Sequence, residues 1–253
     1  MAVDAALFLV DELPAGAEHL LDGEQGRHAA TVRRLRTGEA LVLTDGRGGL
    51  ASCRVIGPAG RDALRLAVLE RRFEPPPAVR VVLAQALVKG DRGELAVELA
   101  TEAGVDEVLP WRAARCVARW EPGPRGDRAL QRWRTTAREA AKQSRRAWVP
   151  PVTEPVDTAA LAARVAAADR ALVLHERAVV GLPSVDLPRG GEVLIVVGPE
   201  GGIDDGELAV LTEAGGVAVR LGPTVLRAST AAAVALGAIG ARSDRWATGH
   251  GGP

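Results

Sequence analysis

The 253-residue chain lacks several features that would indicate particular classes of protein. Its two cysteines, Cys53 and Cys116, lie far apart in no CxxC or Cys/His spacing, so the sequence predicts neither a disulfide framework nor a zinc site. No apolar run approaches the roughly 20 residues that cross a bilayer. The opening MAVDAALFLV also lacks the basic stretch of a signal peptide. We therefore expect a cytoplasmic protein with no membrane partner and no bound metal.

A net charge is also missing, because 32 basic residues balance 32 acidic ones. No overall positive field attracts nucleic acid, so any such binding has to come from local patches. The apolar fraction of 47% and the charged fraction of 25% are those of an ordinary globular protein. The length is sufficient for one large domain, or for a large and a small one.

The common phosphate-binding motifs are absent too. There is no GxxxxGK[ST] sequence, and no GxGxxG opens the first strand-helix-strand unit. An NAD-type dehydrogenase is accordingly the least favoured enzyme class.

The pattern of strands and turns predicts two domains. Residues 1–73 contain short strand-like runs, such as Ala40–Thr44 and Ala51–Ile56, separated by glycine-rich turns. The proline-rich FEPPPAV marks a break, after which strand and helix signals alternate over residues 78–245. We predict a small β-barrel or sandwich followed by an α/β domain with a mostly parallel sheet. We expect the final ATGHGGP to fray.

The second domain contains three strands that end in loops with unusual chemistry. VLIVV runs into the glycine loop GPEGG, and Asp204 with Glu207 predicts a capping box for the next helix. LGPTVLRAST leads into the terminal helix, for which Ser229 or Thr230 is the predicted cap, and LVLHERA contains His175. The carboxyl ends of parallel strands form ligand sites, so these loops predict one composite pocket.

The acids beside the glycine loop favour a neutral or cationic ligand over a polyphosphate. A tight turn without a ligand is the alternative interpretation of the loop. For His175, a structural hydrogen-bonding role is favoured over catalysis.

Positive charge is concentrated between Trp111 and Trp148. This window contains eleven Lys or Arg residues and three acids, an excess of eight positive charges. A long helix predicted at about 126–146 would carry its basic residues on one face and apolar residues on the other. The opposite, apolar face consists of Leu130, Trp133, Ala137 and Ala140.

The stretch RHAATVRRLR adds a second basic cluster in the first domain. Both clusters indicate RNA binding, against the alternative of a solvated charged face. The candidate RNA-binding residues are Arg27, Arg33, Arg34, Arg36, Arg132, Arg134, Arg138, Lys142, Arg145 and Arg146.

The order QALVKGDRGELAVELATEAGVDEVLPW, REAAKQSRR, VVGPEGGIDDGEL and LGPTVLRASTAA resembles the bacterial 16S ribosomal RNA uracil-N3 methyltransferases of the SPOUT superfamily. The resemblance implies a PUA-like β-barrel RNA-binding domain and an α/β methyltransferase domain with a C-terminal trefoil knot. It also implies S-adenosylmethionine as the methyl donor, a homodimer, and the 16S RNA of the small ribosomal subunit as substrate.

The resemblance also assigns site residues. The cofactor pocket it implies consists of Leu174, His175, Glu176, Val197, Gly198, Pro199, Glu200, Gly201, Gly202, Ile203, Leu221, Gly222, Val225, Leu226, Arg227, Ala228 and Ser229. We expect Arg227 and Arg138 to hold the uracil or its phosphate during catalysis. The alternatives are a SPOUT methyltransferase acting on transfer RNA or another ribosomal position, and a non-catalytic RNA-binding assembly factor.

Overall fold

The computed structural model describes residues 5–247 and divides into two compact units. One unit contains the described residues up to Pro76 together with Ala141–Val149, and the other contains Pro77–Ala140 and the residues from Pro150 onward. The predicted fraying concerns residues that, apart from Ala247, lie outside the described part of the chain.

The first unit is built on a five-stranded sheet of order β1-β3-β4-β5-β2. Only β1 and β3 pair in parallel. Its strands and helices are β1 (Ala6–Leu9), β2 (Glu18–Leu21), α1 (Gly23–Arg27), a π-helical turn (His28–Val32), β3 (Ala40–Thr44), β4 (Gly49–Pro58) and β5 (Leu64–Phe73).

The core of the first unit follows from the alternation of its strands. In β4, Cys53 and Val55 are buried while Arg54 and Ile56 are exposed, the period of two that a one-sided strand requires. Strand β3 has the predicted bounds, and β4 extends two residues beyond the predicted run at each end.

The second unit contains a five-stranded sheet of order β10-β8-β9-β6-β7 in which every pair is parallel. Its strands and helices are β6 (Val79–Ala86), α2 (Arg92–Glu102), β7 (Glu107–Trp111), α3 (Pro124–Gln143), α4 (Thr158–Ala167), β8 (Arg170–Leu174), a 3-10 turn (Leu182–Ser184), β9 (Gly191–Val197), α5 (Asp205–Glu213), β10 (Val217–Val219), α6 (Ala228–Ala241) and a 3-10 turn (Asp244–Trp246). The last residues of α3 belong to the first unit.

The order of the strands positions the loops that matter for function. Leu174 of β8 lies in register with Val197 of β9 and with Val219 of β10. Because the strands are parallel, the loops after β8, β9 and β10 begin side by side at the carboxyl edge of the sheet.

Helix α3 packs as its periodicity predicts but ends earlier. Leu130, Trp133, Ala137 and Ala140 are all buried, which confirms the predicted apolar face. The helix stops at Gln143 rather than near 146, because Arg145 adopts a φ of 57° that an α-helix does not allow.

The chain after Gln143 packs against the first unit. The Gly48 N–H donates to the carbonyl of Ala147 at 3.0 Å, and the Val149 N–H donates to the carbonyl of Gly46 at 3.0 Å. In a longer α3 these backbone groups would instead form hydrogen bonds within the helix.

Among residues 5–247, no helix is long and apolar enough to cross a membrane.

Candidate active site

A cavity of about 660 Å³ lies at the carboxyl edge of the parallel sheet. Its walls come from the loops after β8, β9 and β10, and they include every residue that the resemblance assigns to the cofactor pocket. The structure adds residues that sequence reasoning missed: Val88, Arg92, Val219, Arg220, Pro223, Thr224 and Ala231.

The glycines of the loop after β9 are required for different reasons. Gly202 has a φ of 74°, which L side chains rarely adopt, and its N–H donates to the carbonyl of Pro199 at 2.9 Å. A Cβ on Gly198 would lie 2.6 Å from the Ile203 side chain, which folds back over the loop. The loop is therefore a compact turn that leaves no room for a side chain at Gly198.

Arg115 fixes this loop from the segment that follows β7. Its guanidinium donates to the carbonyl of Gly201 at 3.3 Å and to the Asp204 carboxylate at 3.1 Å. In the sequence Arg115 was only one member of the basic window, and no local pattern links it to a loop more than eighty residues away. Its role depends on the tertiary fold.

The capping box predicted for α5 is present, with Asp204 at the N-cap and Glu207 at the third helical position. The Glu207 carboxylate also accepts hydrogen bonds from the Ala114 N–H at 2.9 Å and the Thr158 hydroxyl at 2.7 Å. Thr158 in turn accepts from the indole N–H of Trp111 at 3.2 Å. One carboxylate thus connects α5, α4 and the end of β7.

His175 has the structural contacts that its sequence position favours. The residue is 8% exposed, and its backbone N–H donates to the carbonyl of Val219 at 3.0 Å. Its Nδ1 accepts from the Arg177 N–H at 3.2 Å. This nitrogen is therefore unavailable to accept a proton from a substrate while that bond is present.

The loop after β10 corrects one prediction. Helix α6 begins at Ala228 with Arg227 at the N-cap and no side-chain cap, so the predicted capping by Ser229 or Thr230 is wrong. Ser229 is the second helical residue and is buried, and the Thr230 hydroxyl donates back to the carbonyl of Arg227 at 3.2 Å. Helix α6 therefore begins before Ser229 and Thr230, the two residues whose side chains were predicted to cap it.

Residues of both charge signs line the cavity. They include Glu176 and Glu200 on one side of the charge balance and Arg92, Arg220 and Arg227 on the other. Glu200 accepts from the Lys89 N–H at 3.2 Å, and its carboxylate lies 4.0 Å from the Arg92 guanidinium. Glu200 thus contacts two parts of its own chain, Lys89 in the segment that links β6 to α2 and Arg92 at the start of α2.

The structure separates the two arginines that we expect to act in catalysis. Arg227 is exposed in the cavity wall, whereas Arg138 is exposed on α3 and is not among the residues that line the cavity.

The candidate RNA-binding residues differ in their surroundings. Arg27, Arg33, Arg34 and Arg36 are exposed in the first unit, and none of their side chains forms an ion pair within residues 5–247. On α3, Arg132 pairs with Glu94 at 2.9 Å and Arg134 with Glu154 at 2.9 Å. Lys142, Arg145 and Arg146 belong to the segment packed with the first unit.

Neither cysteine forms a disulfide, and both are buried. Burial raises the pKa of the Cys53 thiol to about 11 and also raises the pKa of Cys116. Within residues 5–247 no group of His, Cys, Asp and Glu side chains is arranged to hold a metal ion.

Two protein families match the chain. Residues 74–240 match the RNA methyltransferase domain, and residues 21–69 match the RNA methyltransferase PUA domain. The ribosomal RNA small subunit methyltransferase E of Mycobacterium tuberculosis is 56% identical over 96% of this chain and 94% of its own length. The protein of that name from Bacillus subtilis is 32% identical over 88% of this chain and 90% of its own.

A solved structure has the same fold. The ribosomal RNA small subunit methyltransferase E of Neisseria gonorrhoeae, bound to S-adenosyl methionine, superimposes with a TM-score of 0.83 and 26% identity, covering 95% of this chain and 98% of the other. The α/β unit therefore has the SPOUT fold and follows a PUA-like domain, as the resemblance implies. The chain belongs to the ribosomal RNA small subunit methyltransferase E family of RNA methyltransferases.

Proposed function

We propose that the protein transfers a methyl group from S-adenosylmethionine to N3 of one uridine in the 16S RNA of the small ribosomal subunit. The observation that carries the proposal is the cavity formed by the loops after β8, β9 and β10. A SPOUT relative with the same fold holds S-adenosyl methionine.

The residues of the cavity fit this cofactor. A volume of about 660 Å³ is in the range of sites for molecules of that size. Backbone N–H and carbonyl groups of the loops after β9 and β10 would bind the adenosine and methionine parts, apart from the Gly202 N–H, which is already bonded within the turn. The carboxylates of Glu176 and Glu200 suit a cationic donor, since the bound cofactor supplies its methyl group from a sulfonium.

The uracil needs a stabilising cation. N3 of uracil is a weak acid, and negative charge develops on the ring as its proton leaves. Arg227, exposed in the cavity wall, would stabilise that charge and orient the ring. Arg138 would reach the RNA from a position outside this cavity, so we assign it a phosphate rather than the base.

We also propose a homodimer, which the family resemblance implies. Leu95 of α2 and Val234 of α6 are 41% and 45% exposed, and these helices pack against each other. Such apolar groups on adjoining helices would be covered by a second copy of the chain. Sedimentation of the purified protein measures this state directly.

The central experiment uses small ribosomal subunits from cells that lack the gene. Incubation with the protein and isotopically labelled S-adenosylmethionine should produce N3-methyluridine in 16S RNA, identified by nucleoside mass spectrometry. Subunits from wild-type cells, which already carry the mark, are the matched control and should take up no label. Methylation of transfer RNA or of another position instead would replace the substrate assignment.

Two further measurements separate the remaining alternatives. Arg227→Ala should lower the turnover number by roughly 100- to 1000-fold, which is typical of removing a group that stabilises developing charge. Full activity of that variant would remove Arg227 from the mechanism.

A protein that binds no S-adenosylmethionine in a calorimetric titration would be an assembly factor rather than an enzyme.

A further inference from the structure

An exposed aromatic side chain lies on the first unit, which contributes no residue to the cavity wall. Phe73, at the end of β5, is 62% exposed, although the chain contains only two phenylalanines and no tyrosine. The other phenylalanine, Phe8, is 1% exposed in the core of that unit. The exposed ring of Phe73 therefore lacks the burial free energy that Phe8 gains in the core.

Trp148 supports this ring from the side. The two ring centroids are 6.0 Å apart with an interplanar angle of 77°. The indole N–H of Trp148 donates to the carbonyl of Glu74 at 2.9 Å, and Trp148 forms a β-bridge with Arg47. The tryptophan is thus held by backbone groups on both sides.

Gly48 allows both rings to lie close to the backbone. Gly48 has a φ of 95°, and a Cβ there would lie 2.6 Å from the Trp148 ring and 2.8 Å from the Phe73 ring. Both rings therefore contact the backbone at a position that only glycine can occupy. A preformed aromatic surface loses little side-chain entropy when it binds.

The chain around the rings is positively charged. The segments Asp45–Gly49, Arg71–Glu74 and Arg145–Val149 contain five arginines and two acids, an excess of three. Asp45 accepts from the backbone N–H groups of Arg47 and Gly49, and Glu74 lies 3.9 Å from Arg72. The guanidinium groups of Arg47 and Arg71 donate to the uncharged backbone carbonyls of Asp11 and Pro14, so these contacts leave their positive charge in place. A polyanion would meet a surface of favourable sign.

We propose that Phe73, supported by Trp148, is a stacking platform for an unpaired RNA base, with the surrounding arginines contacting the adjacent phosphates. Every base has a π-face, so such a platform accepts single strands with little sequence preference, whereas a duplex keeps its bases stacked inside. The local positive charge favours RNA over a protein partner. The inference rests on the proposed function only in taking RNA as the partner.

The test compares variants of the full-length protein in binding a fluorescein-labelled single-stranded oligouridylate and a duplex of equal length. Phe73→Ala should weaken single-strand binding by roughly 5- to 150-fold, the usual effect of losing one base–aromatic stack. Phe73→Trp should retain binding. Leu69→Ala is the matched control, because Leu69 is also on β5 and is 57% exposed but has no aromatic ring.

Unchanged single-strand binding by a folded Phe73→Ala protein would overturn the proposal. So would a loss of self-association in sedimentation with RNA binding intact, which would make this surface a protein contact. If Phe73→Ala does not fold, photocrosslinking of a 5-bromouridine oligonucleotide to the wild-type protein decides: the crosslinked peptide should contain Phe73 or Trp148, and crosslinks only elsewhere contradict the platform. Methyl transfer is measured on the same preparations. Failure of the stacking proposal, seen in RNA binding, is thereby distinguished from failure of the proposed function, seen in methyl transfer.

Discussion

Single residues in the glycine loop act through backbone conformation and through space. Gly202 provides a left-handed conformation, whereas Gly198 provides room for Ile203. Arg115 then holds the folded loop through Gly201 and Asp204. These contacts within the chain restrict the loop, which reduces the entropy that it loses on binding.

Gly202→Ala should destabilise the protein by about 1 kcal/mol, because alanine pays a steric penalty at a φ of 74°. It should also weaken S-adenosylmethionine binding by distorting the turn. Gly181→Ala is the control, since Gly181 has a φ of −82° and a Cβ there would make only an ordinary contact of 3.5 Å with Pro183. Thermal unfolding and calorimetric titration measure both effects, and equal behaviour of the two variants would contradict the conformational role of Gly202.

Cys53 should react slowly with iodoacetamide in the native protein. Burial raises the pKa of its thiol from 9.0 to about 11, so the thiolate fraction near pH 8 is about 100-fold lower than in the unfolded chain. Because the pKa of Cys53 is higher in the folded state, the unfolded chain loses the thiol proton at a lower pH than the folded protein does. The stability that the neutral Cys53 thiol contributes is therefore complete below pH 9.0 and is lost progressively as the pH rises to about 11.

Peptide mass spectrometry of alkylated protein, native and in guanidinium, measures the rate at Cys53 as a function of pH. Equal rates in the two states would contradict the burial effect.

Among the secondary-structure elements, α5 connects the glycine loop to the rest of the sheet. Its first turn contains the capping box, and Glu207 within that box also bonds Ala114 and Thr158. Movement of this helix start would therefore shift both the loop before it and the segment that contains Arg115. Helix α5 therefore helps to stabilise the candidate active site.

Asp204→Ala should lower the free energy of unfolding by about 1 kcal/mol, the usual effect of losing an N-cap. It also removes the contact with Arg115, so S-adenosylmethionine affinity should fall as well. Asp205→Ala is the matched control. Its side chain is 80% exposed and, among residues 5–247, pairs only with Arg177 at the surface, so its loss should cost little. Denaturant titration compares the two variants, and a larger loss for Asp205→Ala would be inconsistent with the cap.

At the scale of the whole molecule, a net charge of zero conceals an uneven distribution. Arginines exposed in the first unit face solvent, while pairs such as Arg80 and Arg164 with Glu107 and Glu192 connect the amino ends of the strands in the second unit. Burial opposes the charge of Arg164, but these two carboxylates raise its pKa. In our proposal the exposed arginines of the first unit bind RNA, whereas Arg80 and Arg164 stabilise the fold of the second unit.

Replacing Arg33 and Arg36 together by alanine should weaken RNA binding at all sequences and reduce the slope of log affinity against log salt by about 1.4, since each lost phosphate contact to a single strand removes about 0.7. The Arg33→Lys, Arg36→Lys protein keeps both charges and should retain the slope. Filter binding across a salt series gives these values. A slope unchanged in the alanine variant would exclude these arginines from the phosphate contacts.

Much of the fold follows from local signals in the chain. Strand β3 has its predicted bounds, the α3 core residues are buried as predicted, and the capping box of α5 forms where Asp204 and Glu207 indicate. These features depend on hydrophobic period and on contacts between near neighbours in sequence. The predicted cap of α6 was wrong, because Ser229 is buried inside the helix. Helix α3 ends before the predicted residue, because the chain at Ala147 bonds to the distant Gly48.

The sequence by itself indicated two units, the loops that end the strands and the excess of arginine around α3, since each depends on the order of residues along the chain. The tertiary structure placed Ala141–Val149, which the sequence assigned to the second domain, with the first unit. Only the tertiary structure decided which distant groups meet: Arg115 with Gly201, Arg92 with Glu200, and Phe73 with Trp148. These contacts join segments separated by about seventy residues or more, and they form because a parallel sheet and a packed unit bring the ends of remote elements to one edge.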